Sequence, residues 1–233
     1  MDPSGKAHMT QRRIIGFDRE LKIEWLDAVA SRVAAGDSAS QARTWLDSHL
    51  GDLLGGNGRS GHRGKTVTVL SRIWASVPPN RSGLRDRAVG LLAAGDLVDR
   101  VGIHWAMSIA AYPFFVEVAE VVGRLLVLQG EVDRQAVVRR MLEVWGDRPA
   151  VSRGSRAVWT SVTNWGVLRE TERRGRYAQL ASPLSISGDV SRLLSDSLAH
   201  AGGGAAPSYR GAQAPALFPF AIHSSPHARV GFA

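Results

Sequence analysis

An all-α architecture, mainly a helical bundle with one short β-hairpin near the C-terminal third, follows from three features of this 233-residue chain. Apolar residues recur at helical spacing along most of its length, and strands of period two are hard to find before residue 167. Breakers cut the chain into helix-length pieces, with Gly36, the glycine-rich stretch Gly55 to Gly64, the Pro78-Pro79 pair and Pro113 as the clearest. From Glu131 onward the order becomes helix, short loop, helix and hairpin.

Taken in order, a first helix is predicted over 17–35, stopping at Gly36. Asp37 or Ser38 then caps a second, whose Ala42, Trp45, Leu46, His49, Leu50 and Leu53 share one face. A third runs over 65–77 and ends before the paired prolines, because the residue preceding proline disfavours the α region. Helices over 84–94, 97–112 and 114–128 carry the densest run of large apolar side chains and form the expected core. Next come a helix over 131–145 and a capped helix over 152–164. The hairpin strands are 167–171 and 176–180, with Gly175 supplying the residue that tolerates positive φ in the turn between them. A last helix over 189–200 precedes a Gly/Ala/Pro-rich stretch ending in the apolar Leu217-Phe218-Pro219-Phe220. The implied organisation is an N-terminal arm (1–16), a helix-turn-helix-like unit (17–79), a central helical core (80–130), a winged-helix unit (131–187), a terminal helix (188–200) and a flexible tail (201–233).

Composition narrows the chemistry. The sequence has no cysteine, which removes disulfides, thiol nucleophiles and cysteine-ligated zinc. Its 29 Lys+Arg against 21 Asp+Glu favour a polyanionic partner. The most apolar stretch, Ile103 to Leu128, is interrupted by His104, Pro113, Glu117, Glu120 and Arg124, too many polar residues for a membrane span, so no membrane partner is expected. Met1 to Thr10 lacks the apolar segment of a secretion signal, and a cytoplasmic address is expected. The seven histidines fall into no metal-ligand spacing: His49 and His104 lie in apolar surroundings, and His223 and His227 flank Pro226. Glu117 and Glu120, three apart, read as a solubilising face with no nucleophile beside them. Gly58 to Thr66 ends in Gly-Lys-Thr, yet its glycine spacing is wrong for a phosphate loop and no buried strand leads into it. No cofactor, metal or reaction is therefore expected.

The sharpest constellation lies between Arg148 and Arg176. Helix, loop, helix and hairpin in that order is how a winged helix-turn-helix reads in one dimension, its second helix presented to the major groove. At 100° per residue Val151, Ser155, Val158, Val162 and Trp165 fall in one arc, and Arg153, Arg156, Thr160 and Thr163 fall opposite. The window holds seven arginines (148, 153, 156, 169, 173, 174 and 176) against Glu170 and Glu172, and phosphate is their natural counter-charge. Arg153, Arg156 and Thr160 are the helix candidates for double-stranded DNA; Arg173, Arg174 and Arg176 are those of the hairpin tip. Competing readings are a solvated basic face, a protein-docking adaptor that holds partners through the winged helix and Leu217–Phe220, and, within DNA binding, a winged-helix transcriptional regulator. Residues 59–87 repeat the pattern, with Val67, Leu70, Trp74 and Val77 opposite Lys65, Thr68 and Arg72, and Arg63, Lys65 and Arg72 are candidates for a second DNA contact.

Three further features carry a family likeness: the Leu53-Leu54 helix end followed by a basic loop in which Arg59 and Lys65 lead into a helix; Trp105 to Val116 with its Tyr112-Pro113-Phe114 turn; and Asn164-Trp165-Gly166-Val167-Leu168. In these the chain resembles, over about residues 20–187, the BrxA family, accessory proteins of BREX bacteriophage-defence systems. The resemblance implies a helical, non-enzymatic, DNA-binding protein acting with other defence-system proteins. The Gly/Ala/Pro tail and the loop at 55–64 depart from the family pattern.

Overall fold

A computed structural model describes residues 15–51, 53–54, 61–201 and 214–222. The helices are α1 (Ile23–Ala34), α2 (Ala39–His49), α3 (His62–Trp74), α4 (Ser82–Ala94), α5 (Leu97–Ala111), α6 (Pro113–Gln129), α7 (Arg134–Trp145), α8 (Pro149–Asn164) and α9 (Gly188–Ala201). Strands β1 (Glu131–Asp133), β2 (Leu168–Glu170) and β3 (Arg176–Gln179) form an antiparallel sheet in the order β1-β3-β2, while β4 (Leu184–Ser185) and β5 (Phe220–Ala221) pair in parallel. The chain is thus mostly helical with a small three-stranded antiparallel sheet. One contiguous cluster of buried apolar residues runs from Ile15 to Phe220, so the stretches 17–79, 80–130 and 131–187 are parts of a single core.

Local chemistry explains most of the boundaries. Ser38 starts α2 with a capping box: its hydroxyl accepts from the Gln41 N–H while the Gln41 side chain reaches back to the Ser38 N–H. Pro113 opens α6 at a position where a missing N–H costs nothing, and Gly130 closes that helix at φ +71°.

The helix predicted over 65–77 runs instead over His62–Trp74, and the one predicted over 152–164 begins at Pro149 without a side-chain cap; three further elements differ in kind or position. The first helix starts at Ile23, not 17, because Phe17 and Leu21 are buried in an extended segment laid along α8. There the Ser161 hydroxyl accepts from the Leu21 N–H at 2.8 Å, and the Trp165 indole N–H donates to the Leu21 carbonyl at 2.9 Å. Their spacing of four imitates a helix, but α8 supplies the hydrogen bonds that a helix would. The helix predicted over 131–145 begins at 134, its first three residues instead forming β1 against β3.

The third difference is in the tail. Residues 214–222 are not a flexible end: Ala216, Leu217 and Phe220 are buried, and the turn Pro215–Leu217 lies against α6. A Cβ on Gly123 would sit 2.2 Å from the Pro215 carbonyl oxygen, so α6 carries glycine where this strap crosses it. Trp105, fully buried on α5, donates its indole N–H to the Ala216 carbonyl at 3.0 Å and meets Phe218 and Phe220 edge-on. The apolar residues that look like an exposed terminus in the sequence therefore complete the core.

Candidate nucleic-acid interface

α7 and α8 are set by their ends. Asp133 caps α7, accepting from the Ala136 N–H at 2.7 Å, and Gly146 ends it at φ +83°. Pro149 is the first residue of α8. Gly154 lets α8 press onto the core, since a Cβ there would lie 2.6 Å from Ile15 Cγ2 and 2.8 Å from Phe114 Cε1. Val151, Ser155, Val158, Val162 and Trp165 are buried as their arc requires. Arg153 and Arg156 are exposed and Thr160 half-buried, in one stripe along the helix. Thr163 donates its hydroxyl to the Trp159 and Thr160 carbonyls, which leaves it only as an acceptor.

The sheet stands beside this stripe. Pairing of Val132 and Glu170 with Tyr177 directs these residues to the face where Tyr177 meets Trp159 of α8, ring centroids 5.4 Å apart. Alternation puts Glu131, Asp133, Arg169, Arg176 and Ala178 on the other face. At the tip Gly175 adopts φ +78°, as the turn demanded, and Glu170 fastens it by accepting from the Gly175 N–H at 2.8 Å. Arg173 and Arg174 are exposed there; Arg176 is half-buried.

Two grooves join these elements. One of about 650 Å³ lies between α7 and α8, lined by Arg134, Val138, Arg139, Leu142 and Arg156 among others. The other, about 440 Å³, lies between the α7 N-terminus, α8 and the hairpin, with Arg134, Gln135, Arg174 and Arg176 in its wall. Arg134 and Gln135 belong to both, so the two grooves adjoin; Glu143 and Asp147 also line the first and Asp133 the second, which places carboxylates among the arginines. Sequence reasoning missed Arg134, Gln135 and Arg139. The signal that could have found them is their position in the first two turns of the helix preceding α8, which in a helix-turn-helix borders the recognition helix.

Charge pairing divides the candidates. Arg153, Arg156 and Arg174 form no ion pair with any other described residue, whereas Arg176 lies 3.4 Å from Asp133 and Arg173 lies 3.8 Å from Glu131. In the second segment, α3 turns Lys65 and Arg72 outward as predicted. Arg63 instead faces Asp47 with two contacts of 3.1 and 3.4 Å, and its charge is spent tying α3 to α2. Thr68 accepts from Arg43, and the Arg72 guanidinium lies over the Tyr112 ring, 5.2 Å from its centroid. Close by, Arg81 donates to the Ala110 carbonyl; burial and the neighbouring Arg72 charge lower its pKa from the usual arginine value. Arg59 and residues 55–60 lie outside the described residues, as do His223 and His227.

The remaining polar candidates have structural partners. His104 is fully buried with Nε2 2.9 Å from Asp27 Oδ1, and burial holds its pKa below the ordinary histidine value although Asp27 opposes that shift. His49 is not a core residue: it is exposed and stacks on Trp45. Glu117 accepts from the Trp145 indole N–H at 2.6 Å, a structural role that the solubility reading overlooked. Among the described residues no cluster of His, Asp and Glu is arranged to hold a metal ion, and no helix is long and apolar enough to cross a membrane. Comparison with protein-family models, with curated proteins and with solved structures gives no match.

Proposed function

We propose that this chain is a non-enzymatic protein that binds double-stranded DNA, with α6-β1-α7-α8-β2-β3 serving as a winged helix. The observation that carries the reading is the α8 stripe: Arg153 and Arg156 stand exposed and without a carboxylate partner among the described residues, Arg156 lining the groove against α7. A helix fits the major groove of B-DNA, and guanidinium groups flanking it on both sides are placed to meet the two phosphate backbones. Arg153, Arg156 and Thr160 then face base edges or nearby phosphates. Arg134, Arg139 and Arg174 take phosphates. Lys65 and Arg72 on α3 extend the footprint as a second contact.

The buried state of all tryptophans near this face, Trp145, Trp159 and Trp165, favours duplex over single strands, which bind on exposed aromatic platforms. A role as a cytoplasmic accessory of a BREX-type defence system, beside other defence proteins, rests on the family resemblance alone. The competing adaptor reading has the winged helix and Leu217–Phe220 hold partner proteins; Leu217 and Phe220 are buried in the chain's own core, which leaves that reading the winged helix alone.

Direct readout separates the roles of the arginines. Arg156→Ala is expected to flatten the preference among duplex sequences, whereas Arg174→Ala weakens every duplex by a similar factor. Competition binding with a randomised duplex pool measures both. Equal, sequence-blind losses for the two variants would reduce α8 to a phosphate contact.

A further inference from the structure

The wing is less positive than its own sequence suggests. Three arginines crowd its tip, but β1 brings two carboxylates onto the sheet face of Arg176 from outside the basic window. Asp133 is the direct cross-strand neighbour of Arg176, and Glu131 is two residues away on that face. Neither is free to leave. Asp133 is also held by the Ala136 N–H as the cap of α7, and Glu131 sits on a strand paired with β3. The two carboxylates also stand where incoming phosphates must come close to reach Arg173 and Arg176.

Resting on the DNA-binding reading above, we infer that Glu131 and Asp133 form a built-in competitor for phosphate, which holds Arg173 and Arg176 and keeps the wing's contribution to DNA affinity low. The competitor is displaceable. Contacts of 3.4 and 3.8 Å are long for charge-assisted hydrogen bonds, and a solvent-accessible surface pair of this kind shifts an equilibrium by about fivefold or less. Arg174, which has no such partner among the described residues, is the wing's standing phosphate contact. A duplex touching the wing alone gains little from it, and tight binding requires α8 to dock as well.

The test uses the full chain and fluorescence anisotropy with a labelled duplex. Glu131→Gln and Asp133→Asn remove charge while keeping shape, and asparagine preserves the α7 cap. The double variant is expected to bind about three- to tenfold tighter at low salt, with a log affinity–log salt slope steeper by about one to two, as for one or two added phosphate contacts. Glu172→Gln, which neutralises a carboxylate at the same tip that has no ion pair among the described residues, is the control for the general field and should give a smaller gain. In an Arg173→Ala/Arg176→Ala background the extra gain should vanish. If the unmodified chain binds duplex but Glu131→Gln/Asp133→Asn gains no more than Glu172→Gln, or keeps its gain without the two arginines, the competitor is ruled out and DNA binding stands. If the unmodified chain binds no duplex, the DNA reading itself fails and takes this inference with it.

Discussion

Trp105→Ala is expected to destabilise the protein by about 3–5 kcal/mol, a large part of the roughly 5–15 kcal/mol that holds a typical domain folded. Trp105 is completely buried and touches four rings: Phe115 at 5.2 Å, Phe218 at 5.4 Å, Phe220 at 5.6 Å and Trp165 at 6.0 Å. These belong to α6, the C-terminal strap and the end of α8. Removing the indole opens a cavity shared by all three and leaves the Ala216 carbonyl without its donor. Urea denaturation measures the effect. Trp105→Phe, which fills most of the space, should recover part of the loss. A shift below about 1 kcal/mol for the alanine variant would mean that the strap and the α8 end do not depend on this residue.

The second large effect falls on binding. Exchanging Arg153, Arg156 and Arg174 together for alanine is expected to weaken duplex binding by about 1,000-fold at low salt, since each charge-assisted contact contributes on the order of 1.5 kcal/mol. Stability should change little, because the three side chains are exposed and have no ion-pair partner among the described residues. A Lys65→Ala/Arg72→Ala variant measured beside it sizes the second contact. Full affinity in that variant would confine DNA to the α7–α8–hairpin face. Full affinity in the triple variant would remove this face from the account.

Local rules made most of the helices legible, because caps and breakers act over three or four residues: Ser38 with Gln41, Pro113, and Gly175 in the hairpin turn. The two faces of α8 were equally legible, since its apolar arc is broad and its arginines lie opposite. What the sequence hid depends on long-range pairing. β1 is three residues long and runs straight into α7, so its alternation is lost in a helical pattern until β3 lies beside it. Phe17 and Leu21 have helix-like spacing but are hydrogen-bonded by residues some 140 positions away. The strap reads as a loose end unless the groove on α5 and α6 is known. Counting charges inside one window misjudged the site for the same reason: Asp47 neutralises Arg63, and Glu131 and Asp133 reach the wing, from outside the stretches in which the arginines were counted.

The most direct measurement is titration of the full chain into a fluorescently labelled duplex across a series of salt concentrations. Arg134, Arg139 and Arg174, with Lys65 and Arg72 as the second contact, offer about five phosphate contacts, which predicts saturable binding at low salt with log affinity falling against log salt at a slope of about −4 to −5. No saturable signal at low ionic strength, or an affinity indifferent to salt, would contradict the assignment of this surface to DNA.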